Sequence, residues 1–476
     1  MCKLSKKNTL SAGVAKSDIT TDKPETPVMD PLYAKVLVLD DGKTKIIIVT
    51  MDVTAIGGRK ISDGILYDVG EEFLPELRSR VQDKLNIPGA NLLVNASHTH
   101  PPGRLLCDDK QQVERVYDAI DRAVQNMTEV KIGSGSGREE RISMNRTLNL
   151  KNGKQWSLRH TNPSPPDEEI ESLGPVDHEI GILRIDRLDG TPLAIVYNFA
   201  CHLLFGDARG SITANIPAYA SKVIEETLDN DCMAFFIQGA AGDIIDVNLK
   251  DFSLKRDIKN LGNMLGKSTL QAYKNIQTKD AELNIISETI TVPRRTDIPE
   301  KIALLKQEQS ELLTSLHGMT LNFKSFLSLY QSDLWLGEDM ESLNKKNINK
   351  YLKNINAMEK LARIQDKVDT LEKHQRINEE SGEDTIDMEL QLIKIGDCLI
   401  ISSPAELLTE IGLNIKKTSP YKHTFVAAYS NGYVHYAGPA ADYDKGGYEL
   451  TECLIAPEWQ EIFETKTQKL INKLRK

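Results

Sequence analysis

NLLVNASHTHPPGR, residues 91–104, decides how the rest of the chain is read. An apolar run, Asn91–Ser97, ends in His98 and His100, and a Pro-Pro-Gly turn and an arginine follow. The whole 476-residue chain has only nine histidines. Alternate residues of a strand face the same side. Two imidazoles therefore meet on one face at a sheet edge, and burying them there is costly unless something pairs them.

Other apolar runs end in the same way. AIVYNFAC leads to His202, AFFIQGAAG to Asp243, CLIISSPA to Glu406, and TFVAAYSNGYV to His435 and Tyr436. In open α/β sheets the crevice at the carboxyl ends of the strands is where ligands bind. Histidines, carboxylates and a phenol arriving at one rim suit a divalent metal such as zinc, which takes imidazole nitrogen and carboxylate oxygen. The spacing is no local motif, and a lone strand-end histidine such as His202 can equally be a hydrogen-bonded structural residue.

The runs KVLVLD, KTKIIIVTMD, NLLVNAS, IGILRID, LAIVYNFACH and CMAFFIQGAAGD are rich in Val and Ile and bounded by Gly, Asp and Asn. They predict buried strands of a mixed α/β sheet. Helices fit at EEFLPELRSRVQDKL, QVERVYDAIDRAVQNM and IPAYASKVIEETLDN, and Gly, Ser and Pro predict a long loop over 133–176. From 297 to 378 the text turns charged and Leu-rich with three- and four-residue apolar spacing. That predicts an amphipathic helical hairpin, a structural arm or oligomer contact, inserted into the body. The expected organisation is an α/β region 10–296, the insert 297–378, and a second α/β region 385–476 closed by a helix.

The net charge of −10 speaks against a nucleic-acid partner. The six cysteines form no CxxC, which argues against a zinc ribbon or a dithiol site. No run is apolar for the ~18 residues a membrane span needs. No signal peptide is visible, so the default expectation is cytoplasmic, or secreted or membrane-associated if a leader was removed. Oligomeric state is not legible.

The ordered segments SHTHPPG, NRTLN (145–149), VDHEIGILRID (176–186), YNFACH, QGAAGDI, SPAELLTEIG and SNGYVHYAGPAADYDKGGYE (430–449) resemble those of the neutral ceramidase family. These are zinc-dependent amidases of N-acyl sphingosine. The last segment keeps the family's Asn-X-Tyr-X-His-Tyr and its later Tyr-Glu. The resemblance spans about 10–290 and 385–450. It implies one Zn²⁺ per chain held by His98, His202, Glu406 and Tyr436. It also implies His100 beside the metal as acid–base group, and Arg146 and Tyr448 lining the site as catalytic residues. The implied substrate is a lipid or small-molecule amide, attacked by a metal-activated water.

The sequence departs from the family in three ways. The Ser-Pro-Asn stretch after the Gly-Asp turn is absent, and no Gly-Ser loop follows; Ser253 stands in the wrong context and is not assigned. No immunoglobulin-like domain follows the last helix. The helical insert replaces other material. These departures bear on the substrate, so ceramide is one expectation and a different amide or ester, such as a sugar derivative, is another. A non-catalytic zinc-binding protein on the same fold is the alternative from a different class.

Overall fold

The computed structural model describes residues 9–20, 27–57, 69–100, 108–158, 164–204, 211–229, 231–247, 257–316 and 340–475. Cys2, the Pro-Pro-Gly turn, Cys107 and Ser253 lie outside them. The chain divides into two compact units, 1–293 with 385–476, and 294–384.

The first unit is a mixed α/β body. Its larger sheet is built from β1 (Ser11–Asp18), β2 (Tyr33–Asp40), β3 (Lys45–Met51), β4 (Leu92–Ala96), β5 (Thr128–Arg138), β6 (Glu179–Arg187), β7 (Pro192–Phe199) and β8 (Met233–Gln238), in the order β8-β7-β6-β5-β1-β2-β3-β4. A second sheet has the order β9 (Leu283–Pro293), β10 (Thr385–Ile395), β11 (Cys398–Ser402), β12 (His423–Ala427). Most neighbours are antiparallel, but β3/β4, β7/β8 and β11/β12 are parallel.

Period-two alternation sets the layers. Leu37, Leu39, Ile46, Ile48, Leu183, Val196, Phe235 and Ile237 turn inward to meet Ile393, Ile395, Ile400 and Phe425 of the second sheet. Their neighbours turn outward to helices. Val36, Val38, Ile47 and Val49 meet α1 (Phe73–Leu85) and α2 (Asp109–Gln125). Ile182, Ile195 and Tyr197 meet α3 (Ile216–Thr227) and α4 (Ile258–Tyr273). On the second sheet Leu390, Leu392 and Ile401 share a cluster with Ile411, Trp459, Phe463 and Leu470 of two later helices. The result is a sandwich of two sheets between helical layers.

The loop expected over 133–176 needs correction. Thr128–Arg138 is a strand inside the large sheet, followed by short strands Ser143–Asn145, Thr147–Leu150, Gln155–Ser157 and Ile170–Leu173. Its glycines are a packing requirement rather than loop composition. A Cβ on Gly133 would stand 2.3 Å from the Gln277 carbonyl oxygen, and one on Gly135 would stand 2.6 Å from Ile276.

The second unit holds α5 (Ile298–Ser315) and α6 (Met340–Ser381). The pairs Lys306–Glu372, Gln309–Gln365 and Glu308–Lys360 run the two helices antiparallel, with Ile298, Ile302, Ile364, Val368 and Leu371 between them. Residues 317–339 lie outside the described ones. In the first unit, β9 and β10 pair continuously from Leu283↔Ile395 to Pro293↔Thr385. The helical unit is thus spliced into what is otherwise a β-hairpin. No described helix is long and apolar enough to cross a membrane.

Candidate metal centre

Each of the three parallel strand pairs sends its carboxyl end to the same place. His98 follows β4, His202 follows β7, and Glu406 follows β11. A buried lattice of amides ties these ends together. Asn95 donates to the Ala428 carbonyl at 2.6 Å and to the Ser430 hydroxyl at 2.9 Å. The Gln238 backbone N–H donates to Asn95 Oδ1, and the Gln238 side chain donates to the carbonyls of Ser97 and Cys201. Asn198 spans from the Ile237 carbonyl to that of Val426. Such a network, fully satisfied, fixes one arrangement of the strand ends. Several residues here hold positive φ: His98 (62°), Tyr429 (56°), Asn431 (59°) and His435 (62°). Each costs about 1–3 kcal/mol and persists only where its surroundings enforce it.

The Nε2 atoms of His98, His100 and His202 converge, with separations of 3.0, 3.0 and 3.1 Å. Glu406 Oε2 lies 3.2 Å from His98 Nε2. His98 Nδ1 is 2.7 Å from the Thr54 carbonyl and His202 Nδ1 is 3.2 Å from that of Ala241. A carbonyl only accepts, so both Nδ1 atoms carry the proton and both Nε2 atoms present lone pairs. The buried His98 lone pair thus faces both the His202 lone pair and a carboxylate oxygen, an arrangement that repels unless a cation joins them. The His98–His202 and His98–Glu406 spacings of 3.0 and 3.2 Å come close to the edges of about 3.3 Å expected of a tetrahedron with ~2.0–2.1 Å bonds. The donor set therefore fits zinc. His100 carries no such carbonyl anchor on Nδ1 among the described residues.

The electrostatics agree. Burial pushes His100 down to about 3 and pushes His202 well below the usual imidazole range. Both are neutral at pH 7, the state a metal requires. Burial would raise Glu406, but a positive charge beside it, supplied by His98 when protonated, and the Tyr433 hydroxyl bring it down to about 2.

Tyr436 pairs with Glu406 in the short parallel ladder Glu406–Leu407 with Tyr436–Ala437. Its hydroxyl accepts from Arg146 Nη2 at 3.1 Å. Burial and Glu406 push this phenol well above its usual range, so ionising it requires cationic help beyond Arg146. Arg146 is itself buried. Its Nε donates to Glu449 Oε1 at 2.6 Å and its Nη2 to the Gly242 carbonyl at 2.7 Å. Gly242 is a glycine because a Cβ there would stand 2.8 Å from the Glu406 carbonyl oxygen. Tyr448 opens the short helix Tyr448–Thr451, with its ring edge-on to Tyr436 at 5.7 Å and beneath the Arg146 guanidinium.

Of the rim residues noted in the sequence, Asp243 is not among the converging atoms. Its carboxylate accepts from the Thr409 backbone N–H and hydroxyl, at the start of α7 (Thr409–Thr418), and from Asn145. His435 offers its backbone carbonyl to the Glu406 N–H. Its ring Nδ1 is 3.9 Å from Glu452. Sequence reasoning missed Glu449, Tyr429 and Tyr433. The Tyr433 hydroxyl donates to Glu406 Oε1, and Tyr429 stacks on His98 with ring centroids 4.1 Å apart. The signal for Tyr433 was its place in the Asn-X-Tyr-X-His-Tyr pattern, with no role attached to it, and for Tyr429 its nearness to that pattern.

A mixed α/β body with this layering is a neutral ceramidase-like fold. The chain is similar to the neutral ceramidase from Pseudomonas aeruginosa, with TM-score 0.63 and 16% identity over 98% of this chain and 74% of that one. It is likewise similar to a ceramidase complexed with C2, with TM-score 0.61 and 14% identity over 98% and 75% of the two chains. At such identities the likeness establishes the fold. No family model matches the sequence, and no curated protein matches it.

Proposed function

We propose that the chain is a zinc-dependent hydrolase of an N-acyl amide, with the metal held by His98, His202, Glu406 and Tyr436. The observation that carries this reading is the approach of His98 Nε2 to two other donors, His202 Nε2 at 3.0 Å and Glu406 Oε2 at 3.2 Å. Zinc bound there would bring a bound water's pKa towards ~7 and polarise a carbonyl. His100 reaches the cluster, and among the described residues its Nδ1 has no carbonyl anchor like those of the other two imidazoles; held neutral by burial, it would take the bound water's proton and pass it to the leaving amine, its role here. Arg146 keeps a positive charge against the Tyr436 oxygen and favours its ionised form. Tyr448 would donate to the developing oxyanion, a contribution typically of ~3 kcal/mol.

A lipid amide is the substrate class suggested by the structural neighbours, both of them ceramidases. The lost Ser-Pro-Asn and Gly-Ser features favour a head group other than that of ceramide. The test is elemental analysis of protein prepared without chelators, followed by a hydrolysis screen of ceramide, N-acyl amino alcohols, N-acyl amino acids and acyl sugars. One zinc per chain is expected, with turnover of at least one N-acyl amide. His202→Ala should lose both. Absence of zinc would overturn the site assignment, and zinc without turnover of any amide would favour the non-catalytic alternative.

A further inference from the structure

We infer that Tyr433 is a positioning residue that leaves Glu406 a single oxygen for the metal, with Tyr429 as its second support. The inference rests on the zinc reading above. Glu406 is buried, so neither of its oxygens is held by bulk water. Oε1 accepts the Tyr433 hydroxyl, and the Tyr433 side chain is itself buried. Oε2 is the oxygen on the imidazole side, 3.2 Å from His98 Nε2 and 3.5 Å from the Tyr429 hydroxyl. The two oxygens are therefore not equivalent: one is committed to the Tyr433 phenol and the other faces His98.

This asymmetry has a chemical consequence. A carboxylate with both oxygens free can bind a metal through one or both. Binding through both adds a donor and fills the position that a hydrolytic zinc centre keeps for water. A short phenol-to-carboxylate hydrogen bond on Oε1 opposes that rotation. Tyr429 acts on the opposite side. Its ring lies against the His98 imidazole at an interplanar angle of 30°, and its hydroxyl approaches Oε2, so it fixes the ring and the oxygen relative to each other. Both tyrosines belong to the turn after β12, where Tyr429 itself holds a left-handed backbone (φ 56°). Orientation of ligands by hydrogen-bonded partners of this kind is typically worth ~10–100-fold in metal affinity.

The test compares Tyr433→Phe, Tyr429→Phe and the unsubstituted full chain. Tyr197→Phe serves as control, since it removes a buried hydroxyl bonded to Ser221 and Pro217 rather than to Glu406. Zinc affinity is measured by competition with a chromophoric chelator. Coordination is read from the visible spectrum of the cobalt(II)-substituted protein, and folding is checked by cooperative melting. Tyr433→Phe should bind zinc ~10–100-fold more weakly, and its cobalt bands should shift as the second carboxylate oxygen takes the place of water. Tyr429→Phe should weaken zinc in the same direction but less, and Tyr197→Phe should change neither readout. An unchanged affinity and cobalt spectrum in Tyr433→Phe would overturn the inference while leaving the zinc reading intact. A larger loss in Tyr429→Phe than in Tyr433→Phe would reverse the assignment. An unsubstituted chain that binds neither zinc nor cobalt would overturn the zinc reading itself, and this inference with it.

Discussion

Removing the charge from Glu449 should expose how the positive side of the site is held. The Arg146–Glu449 pair is 2.6 Å apart, with side chains 5% and 3% exposed. At an effective dielectric near 20, two unit charges at that distance attract by about 6 kcal/mol. In Glu449→Gln the amide oxygen still accepts from Arg146 and regains about 1–3 kcal/mol as a hydrogen bond to a charged group. The expected net loss is therefore ~3–5 kcal/mol, the range typical of stranding one buried charge. Tyr436, the other oxygen beside the guanidinium, cannot take over cheaply, since burial and Glu406 hold it protonated. The assay is urea unfolding of chelator-treated protein followed by tryptophan fluorescence. Trp459 is buried in the core of the same unit, and Trp156 neighbours Ser157, whose hydroxyl donates to the second oxygen of Glu449. Adding Arg146→Met should recover much of the loss, because it replaces the stranded charge by an apolar chain of similar length. A loss below about 1 kcal/mol, or a double variant no better than the single, would refute the reasoning.

His98→Ala should lose zinc, whereas His100→Ala should retain it and lose ~10²–10⁴-fold in turnover; equal zinc loss in both would make His100 a ligand. Replacing residues 294–384 by a short turn between Pro293 and Thr385, which pair directly across the hairpin, should leave a first unit that melts cooperatively and binds zinc; loss of cooperative melting would show that the insert completes the core. Burial holds the Asp52 carboxyl up at about 7, against the pull of the Tyr33 N–H and Lys35. The folded state thus keeps a proton that the unfolded chain releases near its ordinary value of 3.8. The stability contributed by that proton is full below the ordinary value and fades as pH rises to about 7. Asp52→Asn should therefore flatten the fall in stability over that window and raise stability at pH 8; an unchanged pH profile would show that Asp52 ionises normally.

Much of the architecture was legible because its elements carry uniform patterns. The Val- and Ile-rich runs around Ile47, Val94 and Val196 are strands buried on both faces, and continuous apolar text is what such strands need. The histidine pair at 98 and 100 was legible because polar residues closing an apolar run demand a partner. What escaped was set by contacts distant in sequence. The strand Thr128–Arg138 looked like a loop since its glycines answer to Ile276 and Gln277, about 140 residues away. Asn95, Asn198 and Gln238 stood inside apolar runs with nothing local to show that Asn95 meets Gln238 or that Asn198 reaches Val426. Glu449 and Tyr433 were quoted within a motif, yet their partners, Arg146 and Glu406, are fixed only once the chain has folded. Asp243 misled for the same reason, because its position at a strand end suited a metal while its oxygens serve the start of α7.

The arrangement also separates what the site requires from what the chain carries besides. The converging atoms come from positions 98, 100 and 202, with 406 beside 98, and the groups that hold them and their strand ends come from 54, 95, 238, 241 and 433. All belong to the first unit, and all depend on three parallel strand pairs ending level with one another. A one-residue slip in any of those pairs would turn the final residue to the opposite face and remove a donor, so the buried amides at their ends act on register as much as on stability. The helical unit imposes no such demand, because it enters and leaves between two residues that already face each other in an antiparallel hairpin. Substitutions along α5 and α6 should therefore alter the centre far less than a single change at Asn95. There, loss of the side chain would leave the Gln238 N–H without its partner and the Ala428 carbonyl and Ser430 hydroxyl with only their mutual bond, at about 1–3 kcal/mol for the stranded N–H.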